Sequence, residues 1–227
     1  MLVYAHRGSS ARLPENTLAA FQGAVDDRAD GVELDIHATA DGMPVVIHDR
    51  ELDRTTNGTG TVDALTLAEL RRLDAGNGER VPTFDEVLAL LDGRLRLDIE
   101  IKQAGVEREV LEALARFPTT PWAISSFDWD ILRAVRRLAP GAELWPLAGP
   151  ADPSLVAVAK EIGAPAVALY HEAYRQPSAK LLADAGLDVV VWTVNDPAEA
   201  RRVRDLGAVG LCTDDPAGIR AALARGD

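Results

Sequence analysis

Two carboxylates two residues apart, Glu33 and Asp35, precede a histidine, His48, with the turn dipeptide Asp41-Gly42 between them. Residues 32–36 alternate as a strand does and 44–48 form a second run, so the segment reads as one β-hairpin. Side chains two apart on a strand share a face, which points Glu33 and Asp35 the same way. Folding the hairpin about 40–41 sets Glu33 roughly opposite His48. Carboxylates this close repel each other unless a cation lies between them. The chemistry expected is metal binding, with an imidazole beside the ion to move a proton.

Other stretches add groups of the same kind. His6-Arg7-Gly8 follows the first apolar run, and Asp98, Glu100 and Lys102 alternate in and just after 95–101. Ser125-Ser126-Phe127, Trp192-Thr193-Val194-Asn195 and Thr213-Asp214 end later runs. Charged side chains inside a strand are costly unless paired or metal-bound. Glu33, Asp35 and Glu100 offer hard oxygen donors with no soft ligand among them, which suits Mg²⁺ or Ca²⁺ better than zinc or copper. Arg7 and Lys102 are cations of the type that grips a phosphoryl group. A divalent ion, three carboxylates, these two cations and a phosphodiester sum to zero charge. His6 and His48 then act as general base and general acid.

Taken singly, each has a plainer explanation. His6 would be a rim histidine, Glu33 and Asp35 an exposed strand face, and Asp98, Glu100 and Lys102 a salt-bridge ladder. Trp192 would be core, Asn16 the cap of the first helix and Glu15 its solvated neighbour. Their weight comes from falling together at one end of the predicted strands. His37 and His171 lack that placement and read as surface or loop residues.

The elements that must position these groups follow a regular rhythm. Short apolar runs at 2–5, 32–36, 95–101, 122–125, 143–147, 166–170, 188–193 and 209–213 read as strands. They alternate with helical patterns near 16–28, 83–92, 105–116, 128–138, 153–162, 177–185, 197–206 and 216–225. Asp152-Pro153, Asp196-Pro197 and Asp215-Pro216 mark helix starts, and Gly163, Gly186 and Gly207 mark ends. Eight such units predict a closed (β/α)₈ TIM barrel, one domain over 1–227, whose active site lies at the C-terminal strand ends. An open doubly wound sheet is the alternative, but the chain lacks a G-x-G-x-x-G turn. Residues 37–82 break the rhythm. Their later part, about 50–82, is a polar insertion expected over the barrel mouth.

The net charge of −12 disfavours nucleic acid and anionic membrane as partners. The one cysteine, Cys212, excludes an intrachain disulfide and reads as a buried strand residue. Neither a signal-peptide pattern nor an apolar run of membrane-spanning length is visible, so a soluble, cytoplasmic protein is expected.

The runs Ala5-His6-Arg7-Gly8, Pro14-Glu15-Asn16-Thr17, Glu33-Leu34-Asp35, Val46-Ile47-His48-Asp49, Thr55-Thr56-Asn57-Gly58, Ile99-Glu100-Ile101-Lys102 and Trp192-Thr193-Val194-Asn195 together resemble the signature of the glycerophosphodiester phosphodiesterases. The likeness runs in order from Ala5 to Asp214-Asp215-Pro216. It implies metal-dependent hydrolysis of glycerophosphodiesters to sn-glycerol 3-phosphate and an alcohol. One divalent cation, Mg²⁺ or Ca²⁺ with Mn²⁺ a further option, would sit on Glu33, Asp35 and Glu100. His6 and His48 would be the catalytic pair and Arg7 and Lys102 the phosphate contacts. Phe127 and Trp192 would wall the substrate pocket, and Glu15 and Asn16 would support the site. Two departures stand out: a short, aromatic-poor insertion, and Asp98 where asparagine is common. A lysophospholipase D or sphingomyelinase D-like activity on the same site, and a non-catalytic phosphate-ligand binder, are the rival readings. The first would need an exposed apolar rim, and the second would require lost site residues.

Overall fold

Period-two alternation along the strands divides the apolar residues between two separate layers, and that division defines the architecture. The computed structural model describes residues 1–225. Its strands are β1 (Leu2–His6), β2 (Gly31–Ala38), β3 (Pro44–Val46), β4 (Arg96–Ile101), β5 (Trp122–Ser126), β6 (Leu144–Ala148), β7 (Ala166–Tyr170), β8 (Asp188–Trp192) and β9 (Gly210–Thr213). All of them except β3 pair in parallel in the order β1-β9-β8-β7-β6-β5-β4-β2, and β1 pairs with β2 to close the ring. This is the expected (β/α)₈ barrel.

Outward-facing Val3, Ala5, Val32, Leu34, Ile36, Leu97, Ile99 and Ile101 are buried in the shell between the strands and the helices. Inward-facing Tyr4, Ala123, Trp145, Ala168, Val190 and Cys212 form a second cluster inside the barrel. Tyr4 and Trp145 meet edge to face with centroids 5.9 Å apart, plugging the end away from the site. Cys212 is 2% exposed, the buried strand residue that its sequence context predicts.

The helices are α1 (Leu18–Asp26), α2 (Leu67–Leu70), α3 (Phe84–Leu91), α4 (Glu107–Ala115), α5 (Trp129–Leu138), α6 (Pro153–Glu161), α7 (Gln176–Asp184), α8 (Pro197–Asp205) and α9 (Pro216–Ala224). Asp152, Asp196 and Asp215 cap α6, α8 and α9 ahead of a proline, as their sequence signals predict. Thr83 and Glu86 form a reciprocal capping box at the start of α3. At α1 the structure removes the plainer explanation of Asn16 as a helix cap. The cap is Thr17, which accepts from the Ala20 amide, and Asn16 lies outside the helix.

β2 is longer than its neighbour β1, which pairs only with Gly31, Val32 and Glu33. Its upper half is taken by β3, with Ile36 opposite Val46 and Ala38 opposite Pro44. The chain then runs through a short 3₁₀ turn at Val62–Ala64 and through α2 before entering α3. This excursion has its own small core of Val45, Ile47, Leu52, Val62, Leu70, Ala75 and Val81.

The turn after β1 permits little variation. Gly8 has φ +83, and a Cβ there would lie 2.5 Å from the backbone carbon of Ala20 in α1. Gly8→Ala is expected to destabilise the fold by more than about 2 kcal/mol, from the left-handed backbone plus the overlap. Urea unfolding of the purified variant checks this, and a midpoint equal to wild type would contradict it.

Candidate active site

Register between adjacent strands assembles the acidic cluster. His6 lies beside Glu33, Glu33 beside Asp98, and Asp35 beside Glu100. Ligand atoms of Glu33, Asp35 and Glu100 all lie within 4.8 Å of one another. Asp35 is fully buried, and Glu33 and Glu100 are nearly so. Asp35 Oδ2 accepts from Asn16 Nδ2 at 2.8 Å. Its Oδ1 is buried with no hydrogen-bond partner, and Lys102 Nζ stands 3.6 Å away.

The electrostatics are those of crowded anions. Burial first, and then the charge of Asp35, push Glu33 well above the ordinary carboxylate range. The same two causes raise Glu100 to about 7. Burial raises Asp98 to about 7, against a hydrogen bond from Ser125 Oγ at 2.6 Å. Burial would raise Asp35 too, but Arg7, Lys102 and His48 outweigh it and hold Asp35 low. An unpartnered carboxylate oxygen among hard donors that resist ionising together fits a divalent cation on Glu33, Asp35 and Glu100.

Two histidines flank this cluster, each backed by a carboxylate. His6 Nδ1 lies 2.7 Å from Asp214 Oδ1, and its Nε2 lies 3.9 Å from Glu33 Oε2. Asp214 is fixed by Asn195 Nδ2 at 2.6 Å and by Ser10 Oγ at 3.1 Å. His48 Nδ1 lies 2.5 Å from Asp49 Oδ1, and its Nε2 lies 3.3 Å from Lys102 Nζ. The hairpin register differs from the sequence expectation by one residue. The Ile47 amide bonds the Asp35 carbonyl, and β3 ends at Val46, so His48 is not opposite Glu33. It comes instead from the chain just past the strand and faces the Lys102 side of the cluster.

The cations and the first loop interlock with both. Lys102 Nζ donates to Glu100 Oε1 at 2.8 Å, so one pair of the suggested salt-bridge ladder does form. Arg7 has φ +56, and its Nε lies 3.3 Å from Asp35 Oδ2. Its backbone amide bonds Glu33, and its NH1 donates to Glu15 Oε1 at 2.8 Å. Asn16, with φ +57, bonds the Arg7 carbonyl through its own amide. Left-handed backbone at non-glycine residues is strained and persists where surroundings enforce it. Here it aims the Arg7 guanidinium and the Asn16 amide at Asp35.

A cavity of about 120 Å³ opens above the cluster. Its walls include His6, Arg7, His48, Glu100, Phe127 and Trp192. Phe127, half exposed, meets Trp192 edge to face at 5.5 Å, and Tyr170 lies 5.3 Å from the other side of Trp192. The structure thus brings every residue of the predicted site to one mouth, with Glu15 and Asn16 behind it. His37 departs from expectation. It is 5% exposed, with Nε2 3.1 Å from the His48 carbonyl, because β2 runs on to Ala38 and places it on the face of Asp35. His171 sits in a 3₁₀ turn after β7, 2.7 Å from Glu199, as a loop residue should. Asp49, Asp214 and Asn195 went unassigned in the sequence, although each sits beside a residue already singled out. Arg54 carried no signal there.

Comparison with known proteins agrees with this geometry. Residues 6–218 match the glycerophosphoryl diester phosphodiesterase family. A glycerophosphodiester phosphodiesterase of Caldanaerobacter subterraneus subsp. tengcongensis is 38% identical, covering 95% of this chain and 94% of its own. One of Bacillus subtilis is 32% identical over 95% of this chain and 84% of its own. Among solved structures, an Oleispira antarctica phosphodiesterase in complex with the product sn-glycerol-3-phosphate superposes with a TM-score of 0.94 at 29% identity, covering 99% of this chain and 97% of that one. Similar along nearly its whole length in both sequence and fold, the chain belongs to the glycerophosphoryl diester phosphodiesterase family and is an enzyme of that class.

Proposed function

We propose that this enzyme hydrolyses glycerophosphodiesters to sn-glycerol 3-phosphate and an alcohol, with Glu33, Asp35 and Glu100 holding one divalent cation and His6 and His48 moving the protons. One observation carries the reading: a metal-competent acidic triad lies between two histidines, each paired with its own carboxylate, at one cavity. The product bound to the Oleispira antarctica relative supports the glycerol phosphate half of the substrate. The oxygen donor set favours Mg²⁺ or Ca²⁺, with Mn²⁺ also compatible. Bound there, such an ion supplies Lewis-acid polarisation of a phosphoryl oxygen.

The chain's own groups do the rest. Arg7 and Lys102 bring positive charge to the phosphate and balance the carboxylates. One histidine takes a proton from the nucleophile, which is water, or the glycerol 2-hydroxyl by way of a cyclic phosphate that water then opens to sn-glycerol 3-phosphate. The other gives a proton to the departing alkoxide, so the P–O bond breaks without releasing a free alkoxide. Asp214 and Asp49 fix the two rings through Nδ1, leaving each Nε2 turned to the site. Phe127 and Trp192 wall one side of the cavity. Asn16 and Glu15 hold Asp35 and Arg7 in place.

Removal of divalent ions with EDTA is expected to abolish turnover of glycerophosphocholine and glycerophosphoethanolamine, and Mg²⁺, Ca²⁺ or Mn²⁺ added back should restore it. Full activity in excess EDTA would overturn the metal assignment. Asp35→Asn should lose metal binding by calorimetry as well as turnover.

His6→Ala and His48→Ala are each expected to lower kcat by about 10²–10⁴-fold. Circular dichroism should show both folded as wild type. Purified His48→Ala that turned over at the wild-type rate would end the proposed proton-transfer scheme.

A further inference from the structure

Arg54 lies in the excursion, away from the cavity, yet all three of its guanidinium nitrogens are used. NH1 and NH2 donate to the two oxygens of Glu15, each at 2.8 Å. Nε donates to Asp49 Oδ2 at 2.5 Å. The remaining Asp49 oxygen meets His48 Nδ1, and the Glu15 carboxylate also takes Arg7 NH1. The result is an unbroken chain, Arg7–Glu15–Arg54–Asp49–His48, joining the loop after β1 to the excursion.

We propose that Arg54 is a positioning residue for His48, holding Asp49 so that the imidazole stays in its Nδ1–H form with Nε2 facing Lys102 and the cavity. The inference rests on the function proposed above and adds a residue to it. The hydrogen bond from Arg54 is the main reason that Asp49 stays ionised far below the ordinary carboxylate range. An ionised Asp49 only accepts, so the ring must donate from Nδ1. Nε2 then carries the lone pair, and Lys102 Nζ, a donor only, stands 3.3 Å away from it. Without Arg54, Glu15 and Asp49 become two anions with their shared counter-charge gone, and Asp49 is free to turn from the ring. Lysine cannot substitute, because one ammonium does not reproduce a fork on Glu15 together with a third bond to Asp49.

A merely structural tie is the competing explanation, and two observations weigh against it. The excursion is anchored by its own apolar core, which Arg54 does not enter. The Arg54 side chain is 46% exposed, where an ion pair adds little to stability.

The test compares wild type with Arg54→Gln, Arg54→Lys, Asp49→Asn and the double variant Arg54→Gln/Asp49→Asn, all in the full chain. With only four histidines, ring-nitrogen NMR resolves each imidazole, assigned by a His48→Gln control. Above the imidazole titration range, wild-type His48 should show the Nδ1–H form, and Arg54→Gln should show exchange between tautomers. Arg54→Gln should lower kcat about 10–100-fold with KM little changed and with the thermal midpoint of wild type. Arg54→Lys should resemble Arg54→Gln. The double variant should be no slower than the slower single one, because both changes act on one ring. An unaltered His48 tautomer in Arg54→Gln, or losses that multiply in the double variant, would overturn the proposal. The NMR result decides it independently of turnover. Active wild type with dead His48→Ala and normal Arg54→Gln would reject this role and leave the proposed function standing.

Discussion

Repulsion among buried carboxylates is the constraint around which this barrel is organised. Glu33, Asp35, Asp98 and Glu100 project from two adjacent strands into one interior space. Interior anions are tolerable only when paired with cations, hydrogen-bonded or bound to a metal. All three remedies converge here. Arg7 and Lys102 supply charge, Asn16 and Ser125 supply hydrogen bonds, and the triad geometry suits a divalent ion. The stability that tolerates the arrangement lies elsewhere, in the apolar shell between strands and helices and in the Tyr4–Trp145 plug.

The two histidines are supported in different ways. Asp214, the partner of His6, comes from the end of β9, which pairs along β1 through Val3 and Leu211. That carboxylate is tied down by the ring of strands itself and by Asn195 and Ser10. Asp49, the partner of His48, is its immediate chain neighbour beyond the end of β3, outside the barrel ladder. Its orientation depends on side-chain contacts from the excursion and the first loop. One histidine is therefore set by the scaffold, and the other by a network of charges near the surface.

Much of this was readable beforehand because the signals are local. Period-two alternation exposes Glu33, Asp35, Asp98 and Glu100 as inward-facing, and the strand-end rule gathers His6, Arg7 and Lys102 at one mouth. What escaped the sequence depends on non-local geometry. The hairpin register is set by the pairing of β3 with β2, and turn chemistry alone placed it one residue off. Taken alone Asn16 reads as a helix cap, and only the family likeness placed it in support of the site. The left-handed turn in the fold supplies what neither reading gave, that Thr17 caps α1 and that the partner of Asn16 is Asp35. His37 seemed a surface or loop residue because the predicted strand stopped at 36, whereas β2 runs to Ala38 and carries His37 on the face of Asp35. Arg54 meets Glu15 across 39 positions of chain, a separation that carries no local pattern.

The groups assigned to reactive chemistry lie between His6 and Lys102, while the aromatic wall, Phe127 with Trp192 and Tyr170, is built from later strand ends. The carboxylate cluster and the aromatic wall thus come from different strands of the barrel. The loops after β5 and β7 carry no partner of either His6 or His48, so a change there can reshape the cavity wall without moving either imidazole.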